Sequence, residues 1–145
     1  MKAFQPYLNF AGNTREAMTF YQSCAGGDLF VQTAGEMPPG VADAPTDPDM
    51  QPPENPDFVI HARLTVGSAM LMASDAMPGG TLTVGNNVWV NIDCDTVAEI
   101  EKLFAAFSEG GTVLMPLADM FWNARFGMLT DKFGINWMFN CELKK

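Results

Sequence analysis

Residues 96–111 read TVAEIEKLFAAFSEGG, and this stretch decides the fold. Thr96 and Glu99 stand three residues apart in the order of a capping box, which begins a helix. Apolar side chains then recur at helical spacing, at Ile100, Leu103, Phe104 and Phe107. The closing pair of glycines is typical of a helix end. The stretch therefore predicts an amphipathic helix with one apolar face.

The same design occurs earlier in the chain, in residues 13–27. Asn13 is the predicted N-cap of this earlier helix, and the pair that ends in Gly27 is its predicted stop. Asn13 and Thr96 are 83 residues apart, and so are Gly27 and Gly110. A capped helix and a double-glycine stop at one constant offset predict a duplicated supersecondary unit.

Runs rich in β-branched and aromatic residues surround each helix and predict the order β-α-β-β-β in both halves. The predicted strands are 3–11, 28–35, 58–66 and 69–75 in the first half, and 87–93, 112–117, 123–130 and 135–142 in the second. Many connections are short, which favours antiparallel pairing. We predict an α+β fold with one βαβββ module over residues 1–80 and another over residues 81–145.

Residues 36–57 interrupt the first module. They contain seven of the ten prolines and six carboxylates, but no Lys or Arg. Proline cannot donate a hydrogen bond to a strand ladder, so this segment is predicted to be a long loop, either a solvated insertion or a functional lid. Because it supplies six of the nine excess negative charges, the acidity of the chain says little about its body.

The charge balance and the cysteines exclude several classes of protein. The 145 residues carry 8 Lys and Arg against 17 Asp and Glu, which disfavours nucleic acid and anionic membrane as partners. No apolar run approaches the roughly 18–20 residues of a bilayer span. The three cysteines form no CxxC pair, so no disulfide framework or zinc knuckle is predicted. We expect a reducing, cytoplasmic setting and a small-molecule partner.

Three stretches carry a family likeness: residues 6–10 (PYLNF), the pair Phe20-Tyr21 and residues 126–137 (FGMLTDKFGINW). With the order of elements, they resemble the PhnB-like group of the vicinal oxygen chelate superfamily, which includes glyoxalase I, bleomycin-resistance proteins and dioxygenases. The resemblance implies that the two modules form a curled mixed sheet around a shared cleft, in a homodimer. Relatives often carry the label 3-demethylubiquinone-9 3-methyltransferase, but the chain has no glycine-rich strand-to-helix turn of the nucleotide-binding kind.

Metal-dependent members of this superfamily take ligands from the first and last strand of each module. The resemblance places these four positions at Pro6, Leu71, Asn87 (or Trp89) and Met138. None of these side chains is a good donor for a hard divalent ion, so we predict no metal and no cofactor. A register shift of one residue reverses every side chain of a strand, and Gln5 would then become available.

The candidate ligand-binding residues are polar, aromatic or flexible side chains on the predicted inner faces: His61, Arg63, Trp89, Asn91, Trp122, Arg125 and Met138. Trp89 is predicted to lie within a group of amides, Asn87, Asn91, Asn136 and Asn140, which suits a polar neutral ligand. Trp122 suits stacking on a planar ligand, and Arg125 suits a carboxylate or phosphate.

Each candidate also has a structural interpretation. His61 can be a hydrogen-bonded strand residue, and Trp89 can be core. Trp122 can pack between the modules, while Arg125 can pair with one of the many carboxylates. A regular hairpin would also bring Asp75 close to Arg63 as an ion pair.

Three functions remain open at this point. The first is a superfamily member that binds a small polar or aromatic molecule in its cleft without a metal site, with or without catalysis. The alternative is a metal-dependent lyase, isomerase or dioxygenase, which requires different strand registers. The third is an interaction protein whose acidic loop, residues 36–57, binds a partner.

Overall fold

The computed structural model describes residues 1–36, 55–77 and 81–143. The chain divides into two compact units, Met1–Thr83 and Val84–Lys145. Within the described residues, each unit contains one α-helix that packs on a four-stranded mixed sheet. The α+β class and the two βαβββ modules are thereby confirmed, whereas most of the predicted insertion at 36–57 lies outside the described residues.

The first module contains β1 (Tyr7–Phe10), α1 (Thr14–Ala25), β2 (Asp28–Thr33), β3 (Val59–Val66) and β4 (Ala69–Asp75). A 3-10 turn at Ala34–Glu36 follows β2. The order across the sheet is β1-β4-β3-β2, with β1 parallel to β4 and the other pairs antiparallel. α1 packs on β2, β3 and β4.

The second module contains β5 (Val90–Cys94), α2 (Val97–Ser108), β6 (Thr112–Met120), β7 (Ala124–Thr130) and β8 (Asn136–Glu142). Its order, β5-β8-β7-β6, repeats that of the first sheet, again with the first and last strands parallel. β5 begins three residues later than predicted, and Val88, within the predicted strand but outside β5, is 72% exposed.

The predicted duplication is visible in the helices. Thr14 and Val97 begin them, Ala25 and Ser108 end them, and both pairs are 83 residues apart. The equivalent glycines of the two stops are Gly27 and Gly111, 84 residues apart rather than 83, and both lie against the sheet: a Cβ on Gly27 would stand 2.3 Å from the Thr65 carbonyl oxygen. A Cβ on Gly111 would likewise stand 2.4 Å from the oxygen of Thr130. Only glycine fits where the backbones approach so closely.

The two helices begin in different ways. Thr96 caps α2 as predicted, since its Oγ1 accepts from the Glu99 N–H at 3.1 Å. Asn13 precedes α1, but its side chain makes no capping hydrogen bond. The Thr14 N–H donates instead to the Asp75 carboxylate, at 3.1 Å. Asn13 is thus the N-cap residue, as predicted, but its side chain makes no capping hydrogen bond, and a buried carboxylate from the sheet binds the first N–H of the helix.

Asp75 also accepts from the Val59 N–H at 2.9 Å, and it is buried. The carboxylate thus joins the end of β4 to the starts of α1 and β3. Arg63 pairs in register with Met72, three residues away from Asp75 along β4. The predicted ion pair between Arg63 and Asp75 is accordingly wrong: the carboxylate lies on the helix side of the sheet, and Arg63 lies on the other.

Each module has its own core. In the first, α1 buries Ala17, Met18 and Tyr21 with Ala62 and Leu64 of β3. In the second, the core is aromatic and is built from edge-to-face ring pairs, a geometry that adds to the energy of burial. These pairs are Phe107–Trp137 at 4.9 Å, Phe104–Phe139 at 5.3 Å and Phe107–Phe139 at 5.4 Å.

The described ends of the insertion are fixed to the first sheet. The Ala34 N–H donates to the Phe58 carbonyl at 2.8 Å, and the Gly35 N–H to the Pro56 carbonyl at 2.9 Å. The chain therefore leaves and rejoins the sheet at neighbouring points. Each helix has 12 residues, and in the described part of the chain none has the length and apolar character of a bilayer span.

Candidate functional site

Each helix covers one face of its sheet, and we call the other face the open face of that module. Residues that pair directly across neighbouring strands share a face. On the first open face, Tyr7 pairs with Met72, Met72 with Arg63, and Arg63 with Phe30. These four side chains form a single row that crosses all four strands.

A polar row lies beside this one. Gln32 pairs with His61 and Asn9 pairs with Ser74, whose hydroxyl donates to Asn9 Oδ1 at 3.3 Å. The Tyr7 hydroxyl lies 3.4 Å from His61 Nδ1, and their ring centroids are 5.9 Å apart. His61 is therefore the point at which the aromatic row and the polar row meet.

The ends of the aromatic row are accessible. Tyr7 is 45% exposed and Phe30 is 48% exposed. The guanidinium carbon of Arg63 lies 5.5 Å from the centroid of the Phe30 ring, within the range of a cation–π interaction. The first open face thus combines apolar rings with hydrogen-bonding groups, as small-molecule sites do.

The open face of the second module has a different chemistry. Asn91 pairs with Met138, and Met138 pairs with Met128. In the next row, Asn140 donates to Asp93 Oδ1 at 3.1 Å. Methionine is flexible and polarisable, so this face offers adaptable apolar surface with amides at one side.

Two tryptophans were predicted to line a site. Trp122 lies in the turn between β6 and β7, is 49% exposed, and packs its ring edge-on against Phe126 at 5.8 Å. Since Phe126 pairs with Asn140, Trp122 lies beside the second open face. Trp89 directly precedes β5, and its indole nitrogen donates to the Asn86 carbonyl at 2.9 Å. That hydrogen bond uses the one polar group of the Trp89 side chain.

Arg125 lies on the helix side of the second sheet. Its guanidinium donates to Glu101 of α2 at 2.6 Å and to Asp119 of β6 at 2.8 Å. The hydrogen bond from Arg125 lowers the pKa of the Asp119 carboxyl, and that same bond raises the pKa of Arg125. The structure therefore separates Arg125 from Asn91 and Met138, which lie on the other face.

The predicted group of amides is divided. Asn136 is buried, and its amide nitrogen donates to the Gly85 carbonyl at 2.9 Å. Its oxygen accepts from the Thr130 hydroxyl at 2.9 Å, so the side chain holds the segment before β5 in place. Asn87 lies outside β5. Along β8, Asn136 alternates with Met138 and Asn140, so Asn136 belongs to the second open face with Asn91 and Asn140, although it is buried.

The donors on the open faces do not fit a divalent metal. Leu71 pairs with Leu64 on the helix side, and Pro6 precedes β1, so these two predicted positions are wrong by one residue in register. The open-face pairs on the first and last strands are Tyr7–Met72, Asn9–Ser74, Asn91–Met138 and Asp93–Asn140. Asp93 is the one carboxylate among these eight residues, and Glu142 at the end of β8 adds a second, whereas hard cations need several such donors. Among the described residues, no three His, Cys, Asp or Glu side chains cluster to hold a metal.

The cysteines are buried and are not joined by disulfides. Cys94 borders a hollow of about 270 Å³ with Asp93, Asp95 and Glu142. Burial raises the pKa of the Cys94 thiol from 9.0 to about 12, and the negative charge of Glu99 adds to the effect. A thiol that stays protonated at neutral pH is not a nucleophile.

Comparison with known proteins places this architecture in a family. The family model described as 3-demethylubiquinone-9 3-methyltransferase matches residues 2–139. The chain belongs to this family. Protein YjdN of Escherichia coli K12 is 35% identical over 138 residues, which cover 93% of this chain and 92% of that relative.

Several solved structures share the fold. Protein PA1353 from Pseudomonas aeruginosa is 41% identical and superposes with a TM-score of 0.81, covering 98% of this chain and all of that one. The PhnB protein from Bacillus cereus is 26% identical, with a TM-score of 0.71 over 97% and 99% of the two chains. A glyoxalase/bleomycin resistance protein/dioxygenase family enzyme from Burkholderia phytofirmans, 18% identical, shares the fold with a TM-score of 0.63 over 97% and 100%. The predicted PhnB-like resemblance is confirmed.

Sequence reasoning missed Tyr7 and Phe30. Tyr7 alternates with Leu8 in β1, and Phe30 alternates with Leu29 in β2; both leucines lie on the side of the sheet that faces α1. This alternation could have placed Tyr7 and Phe30 on the opposite side. Tyr7 contributed only to the family likeness, and Phe30 was treated as part of an ordinary strand. Their position beside His61 and Arg63 depends on pairings between strands far apart in sequence.

Proposed function

We propose that this chain binds a small polar or aromatic molecule on the first open face. The observation that carries the proposal is the row of Tyr7, Arg63 and Phe30 with His61 beside it, on the side of the sheet that α1 does not cover. Aromatic rings supply contact area at little cost in conformational entropy, and the surrounding polar groups orient a ligand. A purely structural face would not need both exposed rings and this density of donors.

The possible metal-ligating side chains on the open faces fit the binding of a ligand without a resident metal. The paired open-face residues of the first and last strands are amide, hydroxyl, phenol, thioether and the carboxylate of Asp93, and Glu142 at the end of β8 adds a second carboxylate. The family description names a methyl transfer, but the link between β1 and α1, residues 11–13, contains one glycine rather than a glycine-rich turn. We therefore base the proposal on recognition of a ligand. The shared cleft, the homodimer and the cytoplasmic setting stay predictions.

The test is a thermal-shift screen of the full chain against a library of polar and aromatic metabolites. A ligand at 100 times its Kd stabilises the native state by about 2.7 kcal/mol, which is a readily measured rise in Tm. His61 is the single histidine, so its imidazole signals in a proton NMR spectrum of tag-free protein are assigned without labelling. Hits on the first open face should shift those signals.

Matched aromatic variants locate the binding. Tyr7→Ala and Phe30→Ala should each remove most of the Tm rise caused by a hit. Phe4→Ala is the control, because Phe4 precedes β1, is 92% exposed and lies outside the row. The proposal fails if no compound raises Tm, or if the hits stabilise Tyr7→Ala and Phe30→Ala as strongly as the unmodified chain.

A further inference from the structure

The two arginines of the sheets differ in their charge partners. In a chain with an acid excess of nine, Arg125 holds two carboxylates, and these are the ion pairs found in the described residues. Arg63 pairs with no carboxylate in that part of the chain and lies over the Phe30 ring instead. A cation–π contact engages the face of the guanidinium and leaves its N–H groups available to donate hydrogen bonds to a ligand's oxygens.

The residues around Arg63 favour the binding of an anionic ligand. The pairings place eleven residues on the first open face: Tyr7, Asn9, Asp28, Phe30, Gln32, His61, Arg63, Thr65, Met70, Met72 and Ser74. Asp28 is the one carboxylate among them, although the chain has 17 Asp and Glu. It pairs with Thr65, one row beyond Arg63 and on the side away from His61. Among the strand residues that the pairings place on this face, those in the rows of Arg63 and His61 therefore include no acid group.

The rings on either side set the shape of the ligand. Tyr7 and Phe30 stand at the two edges of the sheet, three strand spacings or about 14 Å apart. That span accommodates a planar molecule of one or two fused rings lying over Met72, with its charged group at Arg63. A guanidinium binds a carboxylate through two parallel hydrogen bonds, which a lysine cannot reproduce.

We propose that the first open face takes a small aromatic carboxylate, with Arg63 binding the carboxylate and Tyr7 and Phe30 flanking the ring system. This inference rests on the proposed function and narrows it to one class of ligand. Arg63 is then the residue that determines specificity, and His61 lies close enough to report on occupancy.

The experiment compares 2-naphthoate with 2-naphthamide, which have the same rings and differ in charge. Titration of each into tag-free protein is followed through the His61 imidazole signals at constant pH and ionic strength. We expect saturable shifts with 2-naphthoate and at least tenfold weaker binding of 2-naphthamide. Arg63→Gln should abolish the preference, and Arg63→Lys should retain part of it. Arg15→Gln makes the same change of charge at an exposed position of α1 and should leave the preference intact.

Several results would overturn the inference. Equal affinities for the two probes, or a preference that survives in Arg63→Gln, would show that Arg63 does not select charge. If neither probe moves the His61 signals while neutral library compounds do, the carboxylate class is wrong and the proposed function stands. If no compound of either kind binds, the proposed function itself fails.

Discussion

The two modules share one order of elements but begin their helices by different means. The N-terminus of α2 is capped from within, by Thr96 and by Glu99, whose carboxylate accepts from the Asp95 N–H at 3.1 Å. The first N–H of α1 is satisfied by Asp75, 61 residues further along the chain. The duplicated fold therefore accepts two kinds of cap at the same place: a local cap from residues beside the helix, and a tertiary cap from a residue far away in sequence.

The open faces of the two modules differ just as clearly. The first carries Arg63 and His61 between exposed rings, whereas the second carries Met128 and Met138 beside amides. Because the helix-facing sides are both largely apolar and buried, the fold is preserved while the open faces are free to differ. The difference indicates that the first module has the more specific recognition chemistry and the second the more adaptable surface.

Removal of the tertiary cap should have the largest effect. Asp75→Ala leaves two buried backbone donors unpaired, and we expect the free energy of unfolding of the first module to fall by about 3 kcal/mol. All three tryptophans lie in the second unit, so their fluorescence in urea should change little while far-UV circular dichroism shows an earlier transition. Asp28→Ala, an exposed acid on β2, is the control. A loss below 1 kcal/mol would mean that Asp75 does not join these elements.

The free energy of unfolding of the second module should fall more steeply at alkaline pH than that of the first, because of Cys94. The pKa of its thiol is about 12 in the folded state against 9.0 ordinarily. Between these values the unfolded thiol loses a proton that the folded thiol keeps. Its contribution to stability is therefore complete below pH 9 and falls by about 1.4 kcal/mol per pH unit above it.

Cys94→Ala should flatten that slope. The measurement is urea unfolding followed by tryptophan fluorescence at pH 8, 9.5 and 10.5, with the difference between the two proteins compared across pH. The difference in unfolding free energy between the unmodified chain and Cys94→Ala separates the effect of Cys94 from that of the other groups that titrate in this range. Parallel curves for the two proteins would contradict the shifted pKa.

The local cap should matter less than the tertiary one. Thr96→Ala removes one exposed acceptor at the start of α2, for which helix caps predict a loss of about 1 kcal/mol. Thr96→Ser keeps the hydroxyl and should restore most of the stability. Here tryptophan fluorescence is the correct reporter, since Trp137 lies in the core of the second module. An effect as large as that of Asp75→Ala would remove the contrast between the modules.

The smallest effect should come from Arg125. Both of its carboxylate partners are more than half exposed, and exposed ion pairs contribute about 0.2–1 kcal/mol. Arg125→Gln should lower the Tm only slightly and should leave binding of 2-naphthoate unchanged, in contrast to Arg63→Gln. If Arg125→Gln weakened that binding, the assignment of recognition to the first open face would be wrong.

Prediction from sequence was most accurate where the signal is local. The spacing of Ile100, Phe104 and Phe107 gave the buried face of α2, and Gly27 and Gly111 marked the helix ends. The alternation in β3 correctly separated His61 and Arg63 from the side that faces α1. Each of these features depends on residues within one or two turns of helix or a few residues of strand.

The amino-acid sequence by itself thus determined the element order, the duplication and the family, because periodicity, capping and close-packed glycines act over short distances. Only the tertiary structure decided that Asp75 caps α1, that Arg125 faces away from Met138 and that Tyr7 lies beside His61. The reason is that β1 pairs with β4 across more than 60 residues of chain, and a register shift of one residue reverses every side chain. No local rule fixes that register, and the candidate site depends on it.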